Sequence, residues 1–188
     1  MALWSLESVG VRGRLEALTL TVEPGVTVVR GPSGAGKTTL LDLLCGFVTA
    51  DSGAVSRPEG FVLWCGCGQG LWADRTAGRQ IEDVGGDPGE WLQRFGLGGR
   101  SSRKPAAMSL GERSRLELAR ALAAGPEVLL MDEPLTHVDA GRAAAGWAAV
   151  AEFAAGGGSV VVATHEAGVE ERLGGRTVRL ESGRVVDG

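Results

Sequence analysis

The run Gly31-Pro32-Ser33-Gly34-Ala35-Gly36-Lys37-Thr38-Thr39 holds the residue types best suited to chemistry in this chain. It fits G-x-x-x-x-G-K-[ST], a loop whose backbone N–H groups cradle phosphate oxygens. Its glycines let the backbone curl, and a helix starting at its end adds a positive dipole terminus. Lys37 is the candidate to reach the β- and γ-phosphates of a nucleotide, and the Thr38 hydroxyl the candidate to ligate Mg2+. Farther along, Asp132 and Glu133 close the apolar run Val128-Leu129-Leu130-Met131 and precede Pro134. In a nucleotide hydrolase, Asp132 suits a Mg2+ ligand acting through water, and Glu133 a general base or water-orienting group. His165 follows Val160-Val161-Val162-Ala163-Thr164 and is the candidate contact for the γ-phosphate. His137, the other of the two histidines, reads as structural or exposed.

These groups need elements that bring them together. Val26 to Arg30 is a β-branched run that predicts a buried strand leading into the phosphate loop, and Leu40 to Leu44 predicts the helix after it. Val128 to Met131 and Ser159 to Thr164 predict two more buried strands, with a helix over Ala140 to Ala155 between them. Strand–helix alternation with continuously apolar strands argues for an α/β fold built on a mostly parallel central sheet. Ligands of such sheets sit at the carboxyl ends of the strands. The phosphate loop, Asp132-Glu133 and His165 all belong at that edge.

Elsewhere, Leu6 to Val11 and Leu15 to Val22 predict two strands joined near Arg12-Gly13-Arg14. Asp51-Ser52-Gly53 predicts a turn, Gly60 to Trp64 a strand, and Cys65 to Gly70 a flexible loop. Short helices are expected over 76–107, one of them started by Asp87-Pro88 as cap and first-turn proline. Leu110 to Ala124 predicts a helix stopped by Gly125-Pro126. Glu170 to Leu173 predicts a short helix, and Thr177 to Val186 a closing hairpin through Ser182-Gly183.

At 188 residues the chain is expected to be one domain or a core with a small insert. A net charge of −4 gives no electrostatic reason to expect nucleic acid as a partner. No apolar run approaches the ~20 residues of a membrane span, and Met1 to Trp4 lacks the basic and apolar regions of a secretory leader. The expectation is a cytosolic chain that meets membranes only through a partner. Cys65-x-Cys67 has no second pair to complete a metal site, so Cys45, Cys65 and Cys67 read as buried or incidental thiols.

The order of the motifs resembles the ATP-binding cassette (ABC) ATPase family over about Leu6 to Gly188. Gly31 to Thr39 is similar to its Walker A loop and Val128 to Glu133 to its Walker B strand. Met108-Ser109-Leu110-Gly111-Glu112 resembles the family signature, usually Leu-Ser-Gly-Gly-Gln, and Arg113 to Leu122 the Arg-rich helix after it. Leu135 to Asp139 resembles the D-loop, and Thr164-His165-Glu166 the switch-histidine motif. The resemblance implies a P-loop NTPase with an N-terminal antiparallel β part and a short helical subdomain over about 71–109, set in a core of 1–70 and 110–188. It implies ATP and Mg2+ as ligands and two cassettes, identical or not, closing head to tail on two ATP molecules. Each ATP would lie between Lys37 of one cassette and Ser109, Gly111 and Asp139 of the other. The cycle would drive transmembrane permease subunits from the cytoplasmic face of the cell membrane.

The chain departs from the family at three places. Leu110 and Glu112 replace the usual Gly and Gln of the signature, while the phosphate-facing Ser109 and Gly111 are kept. No aromatic ring stands at Val11-Arg12-Gly13, where the family stacks one on adenine, so Arg12 is the candidate to cover the base. Gln69 is the candidate Q-loop residue contacting Mg2+, although aligning Leu71-Trp72 and Thr76 with the family pattern puts Cys67 there. A soluble ABC-type ATPase of DNA repair or translation would share the ATP site but carry coiled-coil inserts or a second cassette. A small-molecule kinase would leave Ser109, Gly111, the D-loop and His165 unexplained. A degenerate, purely regulatory ATP-binding cassette fits poorly with retention of Lys37, Asp132, Glu133 and His165.

The phosphate loop generates the first prediction. Lys37→Ala is expected to abolish nucleotide binding or turnover. Unchanged ATPase activity in that variant would remove the central expectation.

Overall fold

The structure is a computed structural model that describes residues 2–66, 68 and 70–187. Strands β1 (Trp4–Val11), β2 (Leu15–Val22) and β4 (Ser52–Ser56) form a three-stranded antiparallel sheet in the order β2-β1-β4. The main sheet has six strands: β3 (Val26–Arg30), β5 (Val62–Cys65), β6 (Val128–Asp132), β7 (Ser159–Ala163), β8 (Arg176–Glu181) and β9 (Arg184–Asp187). They run in the order β5-β6-β7-β3-β8-β9 and are parallel except at the closing β8–β9 hairpin. The predicted α/β architecture with its antiparallel part is what forms.

Side chains alternate across a strand, so each buried strand of a two-faced sheet must be apolar at every position. Met131 and Leu129 of β6, Val160 and Val162 of β7 and Val28 of β3 enter one core. Their neighbours Val128, Leu130, Val161, Ala163 and Val29 enter the other. Helix α1 (Lys37–Cys45) and the antiparallel sheet cover the second core. Helices α4 (Leu110–Ala123), α5 (Ala140–Ala155) and α6 (Val169–Leu173) cover the first. Helices α2 (Ala77–Glu82) and α3 (Pro88–Arg94) pack onto α4 beyond the sheet, with Ile81, Leu92, Phe95 and Leu97 buried in the same core.

Local chemistry sets the ends. Asp87 caps α3 by accepting from the Glu90 amide at 2.8 Å, with Pro88 in its first turn, as the sequence predicts. Gly46, at φ 82°, closes α1 in the left-handed conformation that favours glycine. One expectation is corrected. Asp51-Ser52-Gly53 does not end as a turn: Ser52 opens β4, an edge strand paired with β1. Its Ser, Gly and Ala residues carry no apolar alternation, which hid it, and Gly53 lies so close to β1 that a Cβ would meet the Glu7 carbonyl at 2.4 Å.

Register fixes the working edge. Val29 pairs with Ala163 and Ala163 with Asp132, so β3, β7 and β6 end at one level. The turn into the phosphate loop, Thr164-His165 and Asp132-Glu133 therefore leave the sheet side by side.

The antiparallel sheet is held to α1 by Trp4, which is wholly buried and donates its indole N–H to the Leu44 carbonyl at 3.2 Å. Trp4→Ala is expected to lower the unfolding free energy by about 3–5 kcal/mol in urea titration. A loss below about 1 kcal/mol would contradict that packing.

Candidate functional site

Gly36 sits in the left-handed region at φ 102° and starts α1 without a side-chain cap. The first amides of the helix are thus left to the loop and to whatever anion enters it. Gly36 could not be another residue: a Cβ there would meet the Leu15 side chain at 2.8 Å and the Arg14 carbonyl at 3.0 Å. Lys37 is largely buried, and its ammonium donates to the carbonyls of Gly31 at 2.8 Å and Pro32 at 3.1 Å. It spans the loop from α1 back to the end of β3. Ser33, Gly34 and Thr38 are exposed, whereas Ala35 and Thr39 turn into the core.

The Thr38 hydroxyl donates to the Asp132 carboxylate at 2.7 Å, joining loop to strand β6. Burial raises the Asp132 carboxyl above its ordinary range, opposed by the Thr38 hydrogen bond and by Lys37. Two hard oxygen donors from different elements therefore meet at the loop, the donor chemistry that suits Mg2+, which keeps waters and takes few protein ligands. Glu133 follows with φ 48°, an unfavourable backbone for a non-glycine residue, and its amide donates to the Ala163 carbonyl at 2.9 Å. Its carboxylate accepts from the Thr136 hydroxyl at 2.9 Å and the His165 amide at 3.3 Å. The His165 imidazole Nε2 lies 3.1 Å from the other oxygen, a contact without hydrogen-bond alignment that leaves that buried oxygen unsatisfied. Lys37, Thr38, Asp132, Glu133 and His165 thus form one cluster.

Ser109, Gly111 and Asp139 form another. They line a separate cavity of about 700 Å3 that shares no residue with the phosphate-loop cavity of about 260 Å3. Ser109 caps α4 in a reciprocal box: its hydroxyl accepts from the Glu112 amide at 3.2 Å, and Glu112 accepts from the Ser109 amide at 2.9 Å. Gly111 lies against the segment after Glu133, where a Cβ would meet the His137 carbonyl at 2.5 Å. Asp139 caps α5, accepting from the Arg142 amide at 3.1 Å. His137 is exposed, as predicted.

Arg12 is exposed and ties its amide to Asp51 at 2.7 Å; Arg14, two residues on, is the arginine that lines the phosphate-loop cavity. Gln69 and Cys67 lie outside the described residues. Among described residues no group of three or more His, Cys, Asp or Glu gathers at one place as metal ligands. Cys65 is buried, and burial with Asp42 pushes the Cys45 thiol up to about 12.

Sequence reasoning missed Glu117 on α4. It is buried and accepts from the amides of Gly66 and Gly70, each at 3.1 Å, and from Gly68 between them. Crowding explains the glycines here: a Cβ at Gly70 would meet the Glu117 carboxylate at 2.4 Å, one at Gly68 would meet Arg113 at 2.9 Å, and one at Gly66 would meet the Trp64 ring at 2.4 Å. Arg120, one turn farther, donates to the Gly70 carbonyl at 2.7 Å and covers the Trp72 ring at 4.6 Å. An acid amid the apolar positions Leu116, Leu118 and Ala119 was the available signal.

A family model described as ABC transporter matches residues 15–136. The chain is 34% identical over 164 residues to the cytochrome c biogenesis ATP-binding export protein CcmA of Ruegeria pomeroyi, covering 80% of this chain and 77% of that one. It is 36% identical over 150 residues to the taurine import ATP-binding protein TauB of Escherichia coli strain K12, covering 70% of this chain but only 59% of that relative's length. Among solved structures, a dimeric ATP-binding cassette in a post-hydrolysis state bound to ADP and Pi superposes with TM-score 0.82 at 23% identity, over 98% of this chain and 97% of that one. A nucleotide-free cassette from an ABC transporter gives TM-score 0.80 at 20% identity, over 100% and 90%. At these identities the structures speak for the fold.

The signature end of α4 generates a pH prediction. Glu112 is held below its ordinary 4.5, at about 2, first by Arg100, whose Nε donates to it at 2.9 Å, and then by the Ser109 amide. The folded value lies below the unfolded one. This pairing therefore stabilises the fold fully above about pH 4.5 and loses its contribution as pH falls toward about 2. Arg100→Ala is expected to lower the unfolding free energy at neutral pH, with the deficit shrinking as pH falls from about 4.5 toward about 2; equal stability of variant and wild type at neutral pH would refute the pairing.

Proposed function

The chain belongs to the ABC transporter family, and from that premise we propose that it is an ATP-hydrolysing subunit working as a closed pair of cassettes against transmembrane permease subunits. The observation that carries the reading is the cluster at the carboxyl edge of the sheet. There Thr38 and Asp132 lie at 2.7 Å, and Glu133 faces both the amide and the imidazole of His165.

The residues divide the work. The backbone from Gly31 to Thr39 cradles the phosphates, and Lys37 leaves the Gly31 and Pro32 carbonyls to reach the β- and γ-phosphates. Thr38 and Asp132, the latter through water, would hold Mg2+, with Gln69 as a further candidate ligand; bound there, the ion neutralises charge on the phosphate oxygens. Glu133 takes the proton of the attacking water, fixed for that task by Thr136 and the His165 amide. His165 contacts the γ-phosphate from the neighbouring strand end.

Within one chain, Ser109, Gly111 and Asp139 face a cavity separate from Lys37. A second cassette placed head to tail brings its Ser109 hydroxyl and the Gly111 amide, at a positive helix end, onto the γ-phosphate. The base of ATP lies over the β1–β2 turn, where Arg12 and Arg14 supply guanidinium planes in place of an aromatic ring. The whole chain forms one cassette, with 71–109 as its helical subdomain. No helix among the described residues is long and apolar enough to cross a membrane; we place the cassette on the cytoplasmic face through its permease because its named relatives are ATP-binding parts of transport systems. One relative is named for export and another for import, so transport direction belongs to the permease and not to this ATP site.

The test is the solution mass of the Glu133→Gln protein by light scattering, with and without Mg-ATP. Binding without hydrolysis should trap the closed state, giving a monomer without nucleotide and a dimer with it. A monomer in both conditions, with bound ATP shown by calorimetry, would overturn the composite-site reading.

A further inference from the structure

Arg30, the last residue of β3, has a side chain only 16% exposed and reaches across to the loop after β7. Its Nη1 donates to the Thr164 carbonyl at 2.7 Å and its Nη2 to the Glu166 carbonyl at 2.6 Å. Those carbonyls belong to the residues on either side of His165. Nη2 also meets the Glu170 carboxylate of α6. We propose that Arg30 is a positioning residue for His165, clamping the backbone on both sides of it so that the imidazole is presented to Glu133 and the γ-phosphate. The inference rests on the ATPase reading for its catalytic consequence, but not for its geometry.

The segment is gripped from opposite sides. Its carbonyls turn onto Arg30, while the His165 amide turns onto Glu133 at 3.3 Å. The Glu166 side chain is held by the buried Trp147 indole at 2.8 Å and by Arg172 at 3.0 Å, and its amide by the Thr164 hydroxyl at 3.1 Å. The neighbours of His165 are thereby fixed, while its own side chain stays 56% exposed beside Glu133. An ion pair with Glu170 alone would be served by lysine. Bridging two carbonyls that flank one residue needs the planar, forked donors of a guanidinium. The next peptide is Gly31, whose carbonyl takes the Lys37 ammonium at 2.8 Å. The residue that holds the histidine and the loop that holds phosphate are thus adjacent in sequence, and a nucleotide that draws Lys37 off Gly31 acts directly beside the clamp.

The full chain contains two histidines, so imidazole 15N signals report on His165 with His137 as internal control. In Arg30→Lys, which keeps the charge but cannot span both carbonyls, the His165 signals are expected to move while those of His137 stay. ATP affinity by calorimetry should stay within about threefold, while kcat falls on the order of 10²-fold. Unmoved His165 signals, or a loss of ATP affinity matching the loss of rate, would overturn the clamp. Glu170→Gln provides a second route should Arg30→Lys not fold. It leaves both carbonyl bonds in place, so the His165 signals should remain those of the wild type; a large shift would reduce Arg30 to an ion-pair partner and overturn the proposal. Failure of the wild-type chain to bind Mg-ATP would count against the ATPase reading alone, and the imidazole signals would still decide the clamp.

Discussion

The position of β7 between β6 and β3 is the constraint on which the phosphate site depends. In a parallel sheet the hydrogen-bond register is set along the whole strand length, and here it brings Val29, Ala163 and Asp132 to one level. No loop chooses that arrangement. The apolar side chains on both faces choose it, because a slip of one residue would exchange the contents of the two cores. Once the strands end together, the groups that follow them have only short distances to cross. Thr38 meets Asp132, Glu133 meets His165, and Arg30 meets the peptide groups around His165.

A second theme is how buried charge is balanced. Lys37 rests on the carbonyls of Gly31 and Pro32, and Arg115 on those of Gly111, Phe95 and Gly96. Glu117 draws on three amides, and Arg30 bonds two carbonyls as well as one acid. Backbone dipoles rather than opposite side chains satisfy most of these groups. A buried ion must find partners or be costly; when its partners are peptide groups, the ion also fixes the path of a loop. The chain uses this at the phosphate loop, the switch-histidine segment and the glycine-rich turn after β5.

How far this was legible in the sequence depends on distance along the chain. The phosphate loop, the strands ending at Asp132 and Ala163, and the Asp87-Pro88 helix start are local patterns, and they could be read directly. The start of α4 was likewise local, and the Ser109–Glu112 capping box that marks it was a signal left unused. Arg30 and Glu117 were not legible, because their bonds cross 134–136 and 47–51 positions of sequence and end on backbone atoms, which have no residue type. The β4 strand was lost because its small polar residues show no periodicity. The choice between Arg12 and Arg14 depends on which way a tight turn faces, and composition does not encode that.

The grip of Glu117 on the glycine-rich turn sets a rule about length. Ser109 and Glu117 sit on one helix, at its cap and past its second turn. An α-helix turns about 100° and rises about 1.5 Å per residue. One residue gained or lost between them would swing the carboxylate to another face of α4, away from the amides of Gly66, Gly68 and Gly70. The segment between signature and clasp therefore admits neither insertion nor deletion. Its eight-residue spacing is a fixed dimension of the molecule, as strict as any single side chain in the site.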